Sequence, residues 1–254
     1  MELESYLRRR LEARGILLMT HIVLGYPSFS DCSRIVADMV EAGVDLMELQ
    51  IPFSEPIADG PVILHANQKA LAGKATVQEC LDFAAEVTRM HAIPFVVMTY
   101  YNIIFRHGVD RFVGALAARG LQGAIVPDLP PEEGKEYLEA MAQRDLAPIL
   151  IFSPTSSQER LTYLASQAKG FIYCVARKGV TGAHTAFSRD LETYLGRCRM
   201  ATRLPLAVGF GLKSKGDIDL LRGKADIAVI GTETIRLMER EGVEAVGDFL
   251  RALR

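Results

Sequence analysis

Three carboxylates stand close together in the stretch "MELQIPFSEPIADGP", residues 47–61: Glu48, Glu55 and Asp59. Glu48 lies in an apolar run, "VDLMELQI", whose composition suits a strand. In a strand, side chains alternate, so Leu46, Glu48 and Gln50 share one face while Asp45, Met47 and Leu49 share the other. The apolar Met47 and Leu49 suit a layer covered by helices, which turns Glu48 and Gln50 to the opposite side. A carboxylate there is costly unless it is hydrated, paired or used. Desolvation raises its pKa, which suits a general acid–base. From these residues alone, a structural Glu paired to a neighbouring strand is an equally open reading. Asp59 follows a loop stiffened by Pro52 and Pro56, with Gly60 and Pro61 at its exit. Two carboxylates in different environments can take different catalytic roles. Glu55 reads as loop charge.

A second group of motifs points to an anion. "VGFGLKS" places Gly209 and Gly211 after one strand-like run, and "VIGTETIRLM" places Gly231 and Thr232 after the next, where a short helix opens. Glycine lets the backbone approach a ligand closely, and a helix N-terminus offers free N–H groups. Together these fit a phosphate, although each glycine alone is equally a turn residue. "ARKGVTGAHTAF" (176–187) is long, polar and glycine-rich and reads as a lid over a site. Within it Gly182 offers a further backbone contact, and Arg177 either clamps substrate or is solvated. Tyr100, Tyr101 and Asn102 end another run and are placed to line a pocket, and Asp128 is placed to orient a neighbour. The histidines at 21, 65, 91, 107 and 184 have no metal-binding spacing, and no Ser-His-Asp arrangement stands out. No metal is expected.

These motifs need a scaffold that gathers strand ends. Eight strand-like runs, at 16–25, 44–51, 93–100, 122–128, 146–152, 170–176, 204–211 and 225–231, are nearly all separated by helix-like segments. The segment after the first run has a helical stripe of Ile35, Val36, Met39 and Val40, with Ser30 or Asp31 placed to cap it and Gly43 to end it. Alternation of this kind implies parallel strands joined by right-handed crossovers. Eight units in 254 residues fit an α/β fold of the (β/α)8 TIM-barrel type, a parallel eight-stranded barrel in one domain over 1–254. Residues 2–13 add an N-terminal helix, and a short phosphate-binding helix follows the eighth strand. An open doubly wound sheet is the alternative, but the first turn, "LGYPSFSD", lacks its GxGxxG. In such a barrel the active site lies at the C-terminal ends of the strands. The residues thus indicate acid–base chemistry on a phosphorylated small molecule and leave the substrate open.

Composition excludes other classes. A formal net charge of -2 gives no basic field for nucleic acid. The four cysteines, at 32, 80, 174 and 198, form no CxxC pair and read as reduced buried thiols of a cytoplasmic protein. No secretion signal or membrane-length apolar run is evident.

The segment "ELQIPFSEPIADGP" closely resembles the signature of the tryptophan synthase alpha chain family. "LGYPS", "MTYYNIIFRHGVDRF", "IVPDLPPEE", "APILIFSPTSS", "GFIYCVARKGVTGA" and "VGFGL" resemble that family's strand ends in the same order, so the resemblance spans about the whole chain. It implies retro-aldol cleavage of indole-3-glycerol phosphate to indole and glyceraldehyde 3-phosphate, with no cofactor in this subunit. By the same resemblance Glu48 is the general acid–base, and Asp59 binds the indole N–H and stabilises the indolenine intermediate. Tyr100 and Tyr173 are pocket residues, and Thr181 is the lid residue that engages Asp59. Gly182, Gly211, Gly231 and Thr232 are the phosphate contacts. The implied partner is a PLP-dependent beta chain in an αββα assembly. Two alternatives remain: a chain that mainly activates its partner, and a related barrel isomerase. This sequence departs from the family pattern at four positions. Gln50 replaces a usual Gly and is expected to narrow the indole pocket or hydrogen-bond Glu48. Glu55 replaces an Asp, Thr232 replaces a Ser, and His21 stands where an apolar residue near the indole is common.

Overall fold

The structure, a computed structural model, describes residues 2–175, 189–209 and 211–254. Its strands are β1 Leu17–Val23, β2 Leu46–Gln50, β3 Phe95–Met98, β4 Gly123–Ile125, β5 Ala147–Ile149, β6 Ile151–Phe152, β7 Ile172–Val175, β8 Leu206–Gly209 and β9 Ile227–Ile230. All pair in parallel, in the order β5-β4-β3-β2-β1-β9-β8-β7-β6. The fifth expected run is divided at Leu150. Its first part pairs with β4 and its second with β7, so one stave of the barrel changes partner midway. With β5 and β6 taken as one stave, the nine strands form the eight-stave parallel barrel that the alternating pattern implies.

Two apolar layers follow from the two faces of each strand. Leu17, Met19, Leu46, Val96, Ile125 and Ile227 point inward and pack together. Leu18, Met47, Leu49, Phe95 and Val97 point outward against the helices. Leu3 and Leu7 of the N-terminal helix Leu3–Arg14 join the inner layer, so this helix covers the N-terminal end of the barrel. The opposite end is left for ligand. The helix after β1, Phe29–Glu41, takes its N-cap from Ser28, two residues before the expected Ser30, and the Ser28 side chain accepts from Asp31 N–H.

Two helices have no counterpart in the sequence pattern. Pro61–Ala72 begins where the Gly60-Pro61 pair reads as a loop exit, because proline at the first helical position is preorganised for a helix. Tyr101–His107 is too short to show a periodicity, and Asp128 caps it by accepting from Tyr101 N–H at 2.9 Å. Asn67 of the first helix and Tyr100, just before the second, hold the loop that carries Asp59.

At the barrel's closed end, Asp45 is fully buried. It accepts from Leu18 N–H at 2.9 Å and from Arg10 and Arg254 at 2.7 Å each, with Arg14 at 3.5 Å. It ties the N-terminal helix, β1 and the C-terminal residue to the start of β2. Asp45→Ala leaves the Leu18 N–H and the guanidinium groups without their acceptor. The expected loss is about 3 kcal/mol, read as a lower urea midpoint with an unchanged slope. A loss below about 0.5 kcal/mol would show that solvent already serves these arginines.

Candidate active site

The parallel register sets the site. His21 of β1 lies beside Glu48 of β2, and Val23 beside Gln50. By strand alternation His21, Glu48 and Gln50 all face inward, as expected for the last two. At the ligand end of the barrel they replace apolar residues, because there the interior opens into a cavity.

That cavity has a volume of about 240 Å³. Glu48, Asp59, Tyr173 and His21 line it together with Gly209, Gly211, Gly231, Thr232 and Glu233. Ile63, Met98, Ile125, Ile151 and Val229 give it apolar walls. A flat aromatic group fits such walls, and an anion fits the glycines.

Glu48 is 5% exposed, and its Oε2 has no hydrogen-bond partner among the described residues. Desolvation pushes its carboxyl up to about 7, the Asp59 charge adds to the rise, and His21 opposes it. A carboxyl with that value exists in both protonation states near neutral pH, as an acid–base requires. The alternative of a Glu paired across strands is not what this geometry gives.

Asp59 sits on the loop after β2 and is held from two sides. Gln50 Nε2 donates to its Oδ2 at 2.6 Å, and the Tyr100 hydroxyl donates to the same oxygen at 3.2 Å. The Tyr100 oxygen in turn accepts from Ala58 N–H at 3.1 Å, and its ring stacks on Phe53 at 5.0 Å between centroids. Asn67 Oδ1 accepts from Phe53 N–H at 2.9 Å. Burial raises the Asp59 pKa, while Gln50, His21 and Tyr100 act to lower it. The Tyr173 hydroxyl is held far above its ordinary pKa by burial and by both carboxylates, so it stays a neutral donor.

Gly231 caps the helix Thr232–Glu241. A side chain at Gly231 would press on His21, with its Cβ 3.3 Å from the His21 Cβ. Gly211 has φ +78°, a conformation natural to glycine. Gly211 and the helix start at Gly231 and Thr232 both line the cavity, and a helix start favours an anion.

Of the expected site residues, Glu48, Asp59, Tyr173, Gly211, Gly231 and Thr232 line one cavity, and Tyr100 stands directly behind Asp59. Thr181 and Gly182 lie outside the described residues. Gln50 does not bond Glu48. It bonds Asp59 and, through Oε1, His21 Nε2 at 2.6 Å. Glu233, which pairs with Lys213 at 3.6 Å, and the apolar walls were not anticipated as site residues. Their inward strand parity and their place after Thr232 were the available signals. Among the described residues, no group of His, Cys, Asp or Glu is placed to hold a metal ion, and no helix is long and apolar enough to cross a membrane.

A (β/α)8 barrel with two unlike carboxylates and a helix N-terminus lining one partly apolar cavity defines a class: barrel enzymes that perform acid–base chemistry on small phosphorylated molecules. Comparison with known proteins narrows the class. A sequence model of the tryptophan synthase alpha chain matches residues 8–250. The tryptophan synthase alpha chain of Desulforapulum autotrophicum is 61% identical over 251 residues, covering 99% of each chain. That of Desulfotalea psychrophila is 56% identical over 254 residues, covering 100% of both. Among solved structures, Mycobacterium tuberculosis tryptophan synthase superposes with a TM-score of 0.90 at 30% identity, over 99% of this chain and 96% of that one. A tryptophan synthase complex from Pyrococcus furiosus gives 0.85 at 28% identity, over 93% and 97%. The chain belongs to the tryptophan synthase alpha chain family, a family of lyases whose role is cleavage of indole-3-glycerol phosphate.

The Glu48 pKa has a cost in stability. Its value is about 7 in the fold against an ordinary 4.5, so the folded chain binds the proton more tightly than the unfolded one. Stability from this group is intact below pH 4.5 and falls as pH rises through 7. Glu48→Gln is therefore expected to stabilise the chain by up to about 3 kcal/mol at pH 8. The gain should vanish near pH 4.5, the ordinary carboxyl value. Urea unfolding at both pH values checks this; an equal effect at the two would assign the change to packing instead.

Proposed function

We propose that Glu48 and Asp59 carry out the family's reaction in this chain, cleaving indole-3-glycerol phosphate to indole and glyceraldehyde 3-phosphate. The observation that carries the assignment is the pairing of a carboxyl raised to about 7 with a second, hydrogen-bonded carboxylate in one cavity. The indole ring lies between the apolar walls, and Gly211, Gly231 and Thr232 hold the phosphate, together with Gly182.

Protonated Glu48 gives its proton to indole C3. Asp59 accepts a hydrogen bond from the indole N–H and stabilises the positive charge that develops on the ring. The Glu48 carboxylate then takes the proton of the glycerol hydroxyl next to the ring. The electrons of that O–H bond form the aldehyde C=O, those of the C–C bond return to the indole, and glyceraldehyde 3-phosphate leaves. One proton is given and one is recovered, so the reaction needs no external acid, base or oxidant. Tyr173 is a neutral donor in the pocket, Tyr100 orders the Asp59 loop, and Thr181 engages Asp59 from the lid.

The subunit works without a cofactor of its own as a single domain over 1–254. Its partner is a PLP-dependent beta chain, joined in an αββα tetramer in the cytoplasm. The structural similarity to tryptophan synthase complexes supports this assembly.

Indole release from indole-3-glycerol phosphate by the purified chain tests the reading. Glu48→Gln and Asp59→Asn are each expected to lower kcat by about 10²-fold or more. Full activity in either variant would remove that residue from the mechanism, and a folded parent that releases no indole with or without a beta chain would overturn the assignment.

A further inference from the structure

Gln50 and His21 are polar side chains beside the two carboxylates that this reaction does not use. Both are buried, Gln50 completely. Their hydrogen bonds fix their orientation. A carboxylate only accepts, so the Gln50 amide nitrogen must face Asp59, and its oxygen is then turned toward His21. His21 Nε2 must therefore carry a hydrogen to meet that oxygen. The ring itself is set by the β1–β2 register beside Glu48.

The residue at the end of this chain of bonds is on a loop. Residues 51–60 form no helix or strand. Asp59 has two side-chain hydrogen bonds among the described residues, and the one from Gln50 is much the shorter, 2.6 against 3.2 Å. Gln50, by contrast, belongs to a strand paired on both sides. The donor is rigid and the acceptor is on the loop, so the bond places the acceptor.

We propose that Gln50, oriented by His21, is a positioning residue that holds the Asp59 carboxylate ionised and aimed into the cavity in the free chain, before substrate or partner binds. The proposal rests on the reading of Asp59 as the carboxylate that meets the indole N–H. A preplaced carboxylate spares substrate the ordering of this loop.

The groups facing Asp59 are Glu48 and Gln50 from β2, His21 from β1, Tyr100 from the end of β3 and Tyr173 from β7. Glu233, with its partner Lys213, lies across the same cavity. Gln50 is uncharged, so its substitution removes the shorter hydrogen bond to Asp59 without changing formal charge.

The test is the ionisation of Asp59, followed by its carboxyl carbon-13 signal in the full chain and assigned from the Asp59→Asn spectrum. Gln50→Met keeps the side-chain length and removes the donor. It is expected to move the Asp59 midpoint up by about one pH unit and to lower kcat about tenfold, with a smaller change in KM. His21→Phe and His21→Gln both remove the imidazole charge that lowers the Asp59 pKa, but only His21→Gln keeps an N–H toward Gln50, so the midpoint should lie higher in His21→Phe than in His21→Gln. With Gln50→Met added to each, the two should match, because the residue at 21 then has no amide to orient. An unmoved midpoint in Gln50→Met, or a difference between His21→Phe and His21→Gln that persists when Gln50 is Met, overturns the proposal. If Gln50→Met does not fold, the His21→Phe and His21→Gln pair decides, since a midpoint equal in both removes the relay. The titration needs no turnover, so a parent that releases no indole overturns the proposed reaction while the Asp59 midpoint still decides the positioning.

Discussion

Two carboxylates share one small cavity, and the rest of the site is arranged around that fact. Burial raises the cost of ionising both, and the Asp59 charge adds to the cost for Glu48. They are kept different by what surrounds them. Glu48 has an orphan oxygen and a carboxyl near 7. Asp59 has two donors on one oxygen that favour its charge. The same pair of residue types therefore stands in two different environments, as the proposed acid–base and charge-stabilising roles require.

The barrel makes this arrangement possible because its two ends are built differently. At the closed end Leu3 and Leu7 seal the interior and Asp45 gathers arginines from both termini of the chain. At the open end, the inward positions of the same strands carry His21, Glu48 and Gln50 where an apolar core would be more stable. That concession to function is local. The outer face of β2 remains fully apolar at Met47 and Leu49, so the strand stays anchored to the helices while its inner face lines the cavity.

The loop after β2 is the other dependent element. Its backbone is tied at Phe53 by Asn67 and at Ala58 by Tyr100, and its carboxylate is tied by Gln50. These ties come from the Pro61–Ala72 helix and from the ends of β3 and β2. A loop that would otherwise have many conformations is presented as part of the cavity wall. The polar side chains of His21 and Gln50 add hydrogen bonds to that wall and leave both carboxylates in the cavity.

Period-two alternation and the strand–helix rhythm were enough to give the barrel, its open end and the inward direction of Glu48, because these depend only on local periodicity and chain chirality. The glycines at 211 and 231 were legible for the same reason, as strand-end residues before a helix start. Other features depend on residues distant in sequence and had no local signal. The division of one stave at Leu150 depends on two different neighbours, β4 and β7. The helix at Pro61 depends on where the loop must land. For Gln50 the sequence offered a narrowed pocket or a hydrogen bond to Glu48, and only the β1–β2 register with the returning loop decided for His21 and Asp59. Sequence by itself determined which residues face inward at the barrel mouth. Tertiary structure alone decided which of them bond, because hydrogen bonds are set by ångström-scale distances between strands and loops that periodicity does not encode.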